Sequence, residues 1–172
     1  MKELISLVYA SRAKFSPVPT ENGVEPSVAR ILMQSRQNNT KKDIGGVLYF
    51  GDVHFFQVLE GERSTVNETF RRIQSDPRHT QVTVLSLSSI RQRQFARWSM
   101  KYIPAEQDVR RFIQAQGYTR FAPLEFSGET VNGLIRLFSQ RDEGDAEEKK
   151  HARGLRWTRL FHRHKNAAEK ER

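Results

Sequence analysis

Residues 44–61 read IGGVLYFGDVHFFQVLEG, two apolar runs separated by Gly51-Asp52. Both runs are rich in β-branched and aromatic residues, and a short Gly-Asp break between such runs is typical of a β-hairpin. We therefore predict strands over residues 44–50 and 53–60, with the turn at Gly51-Asp52.

The segments on either side of this hairpin alternate between strand-like and helix-like patterns. Residues 3–10 form a short, apolar run, and residues 11–24 have the Pro, Gly and polar content of a long loop. Helices are predicted from Pro26 to Asn38-Asn39 and over 62–75, strands over 82–90 and 95–103, and amphipathic helices over 105–117 and 128–140. The order β-α-β-β-α-β-β predicts an α+β, ferredoxin-like fold: a five-stranded mixed sheet with two helices on one face, plus C-terminal helices.

The distribution of charge indicates how the chain is organised. Nine Lys/Arg and two Glu between Lys149 and Arg172 give +7 of the total of +9, so the first 148 residues carry only +2. We expect a body over residues 1–103, a helical extension over 104–141 that packs on the sheet, and a charged tail over 142–172. Such a tail suits contact with an acidic surface, and a solvated, disordered tail is the alternative.

Several classes of protein are disfavoured by what the 172 residues lack. There is no cysteine, which excludes disulfides, thiolate metal sites and nucleophilic thiols, and which fits a reducing compartment. There is also no GxGxxG, P-loop, HExxH or GxSxG motif, and no apolar run long enough to cross a membrane. We therefore expect a cytoplasmic protein with no metal site and no transmembrane segment.

Polar residues at positions predicted to be buried mark the candidate site. Tyr9 shares the core-facing side of its strand with Leu7, and Gln57 lies among apolar neighbours on its own strand. An unmatched buried amide costs about 1–3 kcal/mol, so Gln57 must find hydrogen-bond partners. Pairing of this amide with the backbone or with Tyr9 is one explanation, and a polar pocket between helices and sheet is the other. For Asn38-Asn39, at the end of the first predicted helix, C-capping is the alternative.

Five motifs in matching order resemble the BLUF family of flavin-binding blue-light photoreceptors. The match is continuous over about residues 1–102, with two departures. Gly45-Gly46 stand where the family usually has Thr-Gly, and residues 13–24 carry an insertion. The motifs are Tyr9 on the first strand, SRQNN at 35–39 followed by IGG at 44–46, FFQVLEG at 55–61, DPRH at 76–79 and FARWSM at 95–100.

The resemblance implies a flavin, FAD or alternatively FMN, bound noncovalently between the two helices. The ring would be flanked by Ile31 and Ile73, and its polar edge would bond Asn39. The flavin-binding residues that the resemblance implies are Ile31, Ser35, Asn38, Asn39, Gln57, Ile73, Arg78 and His79.

The resemblance also implies a mechanism. Light would drive electron and proton transfer from Tyr9 to the flavin, and Gln57 would rearrange its hydrogen bonds. Trp98 and Met100 would relay the change to the outer face of the sheet. The chain would then be a switch that signals to a partner protein or through self-association, and not an enzyme.

The main alternative is a ferredoxin-like RNA-binding module with a basic tail. The aromatic pairs Tyr49-Phe50 and Phe55-Phe56 favour it, because exposed rings can stack on bases. The absence of an RNP1 pattern and the nearly neutral body count against it. A second alternative is an acylphosphatase-like enzyme on the same fold, although its Gly-rich anion-binding loop is not found in the sequence.

Overall fold

A computed structural model of the chain describes residues 3–18 and 24–140. The chain divides into two units after Phe138, and the sheet and the helical residues up to Phe138 belong to the first unit. The elements in chain order are β1 (Leu4–Ala13), α1 (Pro26–Lys41), β2 (Gly45–Gly51), β3 (His54–Glu62), α2 (Arg63–Gln74), β4 (His79–Ser89), β5 (Lys101–Tyr102) and α3 (Glu106–Ala115). A 3₁₀ turn at Pro123–Glu125 and a helix over residues 128–140, labelled α4, follow. The predicted tail, residues 142–172, lies outside the described residues.

The five strands form one mixed sheet in the order β4-β1-β3-β2-β5. The pairs β1–β3, β1–β4 and β2–β3 are antiparallel, and β5 runs parallel to β2. The register of β1 on β3 runs from Leu4 opposite Glu62 to Arg12 opposite His54. The predicted α+β class with a five-stranded mixed sheet is confirmed.

Each face of the sheet has its own hydrophobic core, because successive residues of a strand point to opposite sides. Leu7 and Leu59 face α1 and α2, the two helices expected on one side. Val8 and Val58 face the opposite side, where buried residues of α3 and α4 cover them. Burying a Val or Leu side chain contributes about 1.5–3 kcal/mol, so both helical layers are held firmly on the sheet.

Three of the four aromatic residues that favoured an RNA-binding module lie inside these cores, and Phe50 is half-buried against the first of them. Tyr49 is 3% exposed, and Phe55 and Phe56 are fully buried. Tyr49 and Phe56 both pack against Phe138 of α4, with ring centroids 5.8 and 5.9 Å from it. Buried rings cannot stack on bases, so this part of the RNA-binding hypothesis is wrong for Tyr49, Phe55 and Phe56.

Two predicted boundaries near the hairpin are wrong. β1 continues three residues further than expected, to Ala13, because Ala13 N donates to Val53 O at 2.8 Å and so extends the pairing. The hairpin turn lies at Asp52-Val53, one residue later than predicted, since Gly51 still pairs with His54. Both turn residues have a positive φ, 44° and 63°.

The predicted strand over residues 95–103 is also wrong in extent. Only Lys101–Tyr102 is a strand, and residues 91–100 form turns and bends. Phe95 N bonds the side chain of Glu60, and Trp98 N bonds the carbonyl oxygen of Phe95 at 3.3 Å, so neither extends a strand pairing.

Two further differences lie at the ends of α1 and β4, and α2 and α3 are each slightly shorter than predicted. α1 extends to Lys41, so Asn38 and Asn39 lie in its last turn and do not cap it. β4 begins at His79 and not at residue 82. Within residues 3–18 and 24–140, no helix has the length and apolar content needed to cross a membrane.

Candidate functional site

A cavity of about 350 Å³ lies between α1 and α2, on the sheet face that these helices cover. The structure brings together nine residues proposed from the sequence: Tyr9, Ile31, Ser35, Asn38, Asn39, Gln57, Ile73, Arg78 and His79. Six wall residues were not proposed: Gln34, Lys42, Leu59, Thr69, Arg72 and Asp76.

Tyr9 and Gln57 form a hydrogen-bonded pair in the cavity wall. They lie directly opposite each other in the register of β1 on β3, and the Tyr9 hydroxyl donates to Gln57 Oε1. Both are nearly fully buried. Burial raises the pKa of the Tyr9 phenol far above its usual value, and the negative charge of Asp76 adds to this effect. The phenol therefore stays protonated at neutral pH.

Of the two proposed relay residues, Met100 contacts the pair. Gln57 Nε2 donates to Met100 Sδ at 3.4 Å, and Met100 is 1% exposed. Trp98 is half-buried, and its ring centroid lies 5.6 Å from Lys101 Nζ. It is not one of the cavity-lining residues in the part of the chain that the structure describes. Both residues precede β5, whereas they were expected within a longer strand.

Asn39 connects the cavity to the residues before β5. Its side chain is 2% exposed, and its Nδ2 donates to the carbonyl oxygen of Ser99 at 2.7 Å. Asn38, one residue earlier on α1, is exposed at the cavity edge. The two asparagines therefore differ: both line the cavity, and Asn39 is the one whose buried amide also bonds the residues before β5.

Charged side chains surround the cavity. Arg78 and Asp76 form a close ion pair, with Nη2 to Oδ2 at 2.6 Å, and this hydrogen bonding holds the pKa of Asp76 below its usual value. Lys42 and Arg72 lie on the wall as well. Lys42 and Arg72 both pair with Glu68, so three cations face two carboxylates, and the remaining positive charge suits a ligand with an anionic group such as phosphate.

His79 contributes a neutral ring to the wall. Its Nδ1 lies 2.8 Å from Ser11 Oγ, and its ring centroid is 4.6 Å from that of Phe55. Burial lowers the pKa of His79 to about 4, so the ring is neutral at pH 7.

Thr69 shows that the wall is suited to a polar ligand. Its buried Oγ1 has no hydrogen-bond partner among the described residues, and an unmatched hydroxyl costs about 1–3 kcal/mol. Ile31 and Ile73 add apolar surface, and Gln57 and Asn39 add amides that can donate and accept. A flat, apolar ring with one polar edge, such as a flavin, fits this combination.

The cavity-wall residues that were not proposed from the sequence differ in how readily sequence spacing could have predicted them. Thr69 lies four residues before Ile73, and Leu59 lies two residues after Gln57, so helix and strand spacing could have identified both. Lys42 and Arg72 carry no such signal, because a charged residue on a helix surface usually faces water.

Comparison with known proteins shows the family to which the chain is related. The family model described as "BLUF: Sensors of blue-light using FAD" matches residues 4–101. The blue light- and temperature-regulated antirepressor BluF of Escherichia coli (strain K12) is 25% identical over 122 residues, which make up 69% of this chain and 29% of that protein. The chain thus spans less than a third of that relative.

Solved structures give the same result. The photo-activated state of BlsA is 32% identical with a TM-score of 0.69, covering 79% of this chain and 94% of that one. The dark state of BlrB, described as a BLUF protein, is 33% identical with a TM-score of 0.66, covering 82% and 98%. The domain that these structures share is a flavin-binding photoreceptor and not itself an enzyme. The chain belongs to the BLUF family of blue-light sensors, as its ordered motifs, its fold and its matched residues 4–101 together establish.

Proposed function

We propose that this chain senses blue light with FAD bound in the cavity between α1 and α2, and that Tyr9 and Gln57 are its photoactive pair. The observation that carries the proposal is the hydrogen bond from the Tyr9 hydroxyl to Gln57 Oε1 in the cavity wall. When bound, the flavin supplies light absorption and, once excited, a strong oxidant.

The cavity residues supply complementary contacts for such a ligand. Ile31 and Ile73, from opposite helices, would flank the ring, and Asn39 and Gln57 would bond its polar edge. Ser35, Asn38, Arg78 and His79 complete the proposed binding set. The positive charge of the wall suits the phosphate group of either flavin, and FAD is proposed over FMN because the matching family model is described by its use of FAD.

Tyr9 is suited to lose a proton only when it loses an electron. Its raised pKa means that the phenolate is not populated at neutral pH. Its hydroxyl already donates to Gln57 Oε1, so an acceptor is in place for the proton of an oxidised phenol. The pair therefore couples oxidation of Tyr9 to a change in the protonation or orientation of Gln57.

Gln57 passes such a change to Met100. Gln57 Nε2 donates to Met100 Sδ at 3.4 Å, and a thioether sulfur can accept a hydrogen bond but cannot donate one. If the amide turned over, its oxygen would face the sulfur and this bond would be lost. Rearrangement of Gln57 thus removes a contact that holds Met100, which supports a relay out of the cavity.

The proposed output is a change in binding to a partner protein or to a second copy of the chain. β3 carries Gln57 on one face and Phe56 and Val58 on the other, where α3 and α4 pack. One relative is named an antirepressor, which supports a protein partner. The surface of α3 and α4 is therefore the first place to seek such a partner.

The test is absorption spectroscopy on purified chain after incubation with FAD or FMN and removal of free flavin. We expect retained FAD, and a slight red shift under blue light that reverses in the dark. Tyr9→Phe and Gln57→Leu should keep the flavin and lose the shift, since each preserves approximate volume. Tyr49→Phe is the matched control, because Tyr49 is a buried tyrosine on the other face of the sheet.

Two results would contradict different parts of the proposal. A protein that remains colourless with either flavin does not bind the ligand. A full, reversible shift in Tyr9→Phe would instead remove Tyr9 from the photoactive pair while leaving flavin binding in place.

A further inference from the structure

The 94–100 segment, which runs from residue 94 to Met100 ahead of β5, is tied at its far end to the cavity. Asn39 Nδ2 donates to the carbonyl oxygen of Ser99 at 2.7 Å. Arg36 Nε donates to the carbonyl oxygen of Met100 at 2.9 Å. The end of the segment that contacts the photoactive glutamine is therefore fixed to α1.

The beginning of the same segment is held by a buried carboxylate. Glu60 of β3 is 1% exposed, and its Oε2 accepts a hydrogen bond from Phe95 N at 2.9 Å. The backbone N–H of Gln94 and the hydroxyl of Ser6 also donate to it. A buried charge is costly unless it is hydrogen-bonded, so these donors account for a carboxylate at this position. Burial nevertheless raises the pKa of Glu60 above its usual value.

Gly45 allows the segment to lie close against β2. A Cβ atom at Gly45 would lie 2.4 Å from the carbonyl oxygen of Phe95, which is too short for any side chain. Next to it, Gly46 N donates to the carbonyl oxygen of Trp98 at 3.1 Å. The threonine that is usual in the BLUF family at position 45 would not fit unless Phe95 moved.

We propose that Glu60 is a positioning residue of the photoswitch: with Gly45, it fixes the start of the 94–100 segment and so determines how firmly Met100 is held against Gln57. The inference rests on the proposed roles of Tyr9 and Gln57. Because the segment is short and held at both ends, Met100 moves only if one anchor yields. Glu60 lies three residues after Gln57 on β3, so one strand carries both the switch and the anchor.

The decisive variant is Glu60→Gln, which keeps the side-chain size but replaces one acceptor oxygen with a donor that faces backbone N–H groups. We expect bound FAD and the red shift to persist. The rate constant of dark recovery should rise at least about five-fold, since charge-assisted bonds are roughly twice as strong as neutral ones.

Glu62→Gln, on the same strand and face but only partly buried, is the matched control. Its rate should stay within about two-fold of the wild type, as expected for a solvated charge.

A second pair of variants changes the approach of the segment to β2. Gly45→Ala should accelerate recovery in the same direction as Glu60→Gln, because its new methyl group displaces Phe95. Gly128→Ala is the control, since a Cβ at Gly128 meets no atom within 4 Å.

The pH dependence of recovery separates positioning by charge from simple packing. As the pH falls toward the pKa of Glu60, protonation should accelerate wild-type recovery toward the rate of Glu60→Gln, whose residue 60 does not titrate. Arg91 and Arg136 lie on the wall of a neighbouring cavity with Glu60, and the positive charge of Arg93 lowers the pKa of Glu60. His79 titrates near pH 4 and affects both proteins alike.

The outcomes distinguish this inference from the function on which it rests. A wild-type chain without a red shift would overturn the proposed function. A normal wild-type photocycle, with unchanged or slower recovery in Glu60→Gln and the same pH profile, would overturn the role of Glu60. If Glu60→Gln does not retain flavin, the same measurements are made on Glu60→Asp, which keeps the charge on a shorter side chain, and they test the role of Glu60 in its place.

Discussion

His79 shows how burial determines the charge of one cavity wall. The ring is 7% exposed and bonds Ser11 Oγ. Burial is the largest cause of its lowered pKa. The negative charge of Asp76 raises the pKa, and the positive charge of Arg78 lowers it further. At neutral pH the histidine therefore adds no charge beside the Arg78–Asp76 ion pair.

The first prediction concerns the stability that this neutral ring contributes. The pKa of His79 is about 4 in the folded chain against 6.5 for an ordinary histidine. Between these values the unfolded chain binds more protons, so stability falls as the pH falls. The loss attributable to His79 should be about 2 kcal/mol between pH 7 and pH 5. In His79→Gln, the loss of stability between pH 7 and pH 5 should be smaller by this amount, as measured by urea unfolding at both pH values.

Comparing two proteins at two pH values isolates His79 from its neighbours. Glu60 has a raised pKa and therefore contributes with the opposite sign, but it is present in both proteins. Asp76 has a lowered pKa and titrates below the window. Equal changes in stability for wild type and His79→Gln would show that His79 titrates normally.

Individual residues differ in how far the sequence predicts them. Tyr9 and Gln57 are predictable because strand alternation assigns each to a face, and the register then pairs them. Glu60 is not, because a carboxylate near the end of a strand is ordinarily solvated. Its burial depends on Phe95, which is 35 residues away in the chain, and no local pattern reports that contact.

At the scale of elements, the hairpin between β2 and β3 is the clearest conflict between local preference and packing. Gly51-Asp52 has the composition of a tight turn, yet the turn is Asp52-Val53. The observed register puts Tyr49 opposite Phe56, and both rings pack against Phe138. This aromatic packing favours the observed register, which carries the cost of a β-branched residue at φ 63°.

A second prediction follows from that cost. Val53→Gly should stabilise the chain by about 1 kcal/mol, because it removes the strain of a left-handed valine and creates an Asp-Gly turn. Val84→Gly is the control, since Val84 is partly exposed on edge strand β4, where glycine should destabilise. Thermal unfolding of both variants measures these changes in stability. A destabilised Val53→Gly would show that the turn is unstrained.

The short β5 illustrates a different limit. Phe95 and Met100 are apolar and buried, which is the signal of a strand. Their backbone groups are bonded by side chains of Glu60 and Arg36, so burial here comes without pairing to a neighbouring strand. Apolar patterns predict burial more directly than they predict which hydrogen bonds the backbone makes.

At the scale of the whole molecule, the charge of the chain is concentrated outside the described domain. The residues from Lys149 to Arg172 carry +7, against +2 for the first 148. The proposed photoactive pair, the cavity and both cores all lie within the first unit, which ends at Phe138. The photocycle and any attraction to acidic surfaces should therefore be separable.

The third prediction tests this separation by deleting residues 142–172. The truncated chain should keep its red shift and recovery rate, but lose binding to anionic vesicles. For the full chain, that binding should weaken as salt rises, because charges are screened beyond about 10 Å at 0.1 M salt. Uncharged vesicles and DNA serve as comparison surfaces. Equal binding of both chains to anionic vesicles would show that the tail's charge has no such role.

The alternation of side chains along β3 has a consequence for the speed of signalling. Gln57 faces the cavity, and its neighbours Phe56 and Val58 belong to the opposite core. Besides the route through Met100, a disturbance at the glutamine can thus reach the opposite core across one backbone, and this second route requires no hinge or domain movement. The delay between a flash of light and a response would then be governed by how quickly partners meet and separate, and not by the time that the protein takes to change.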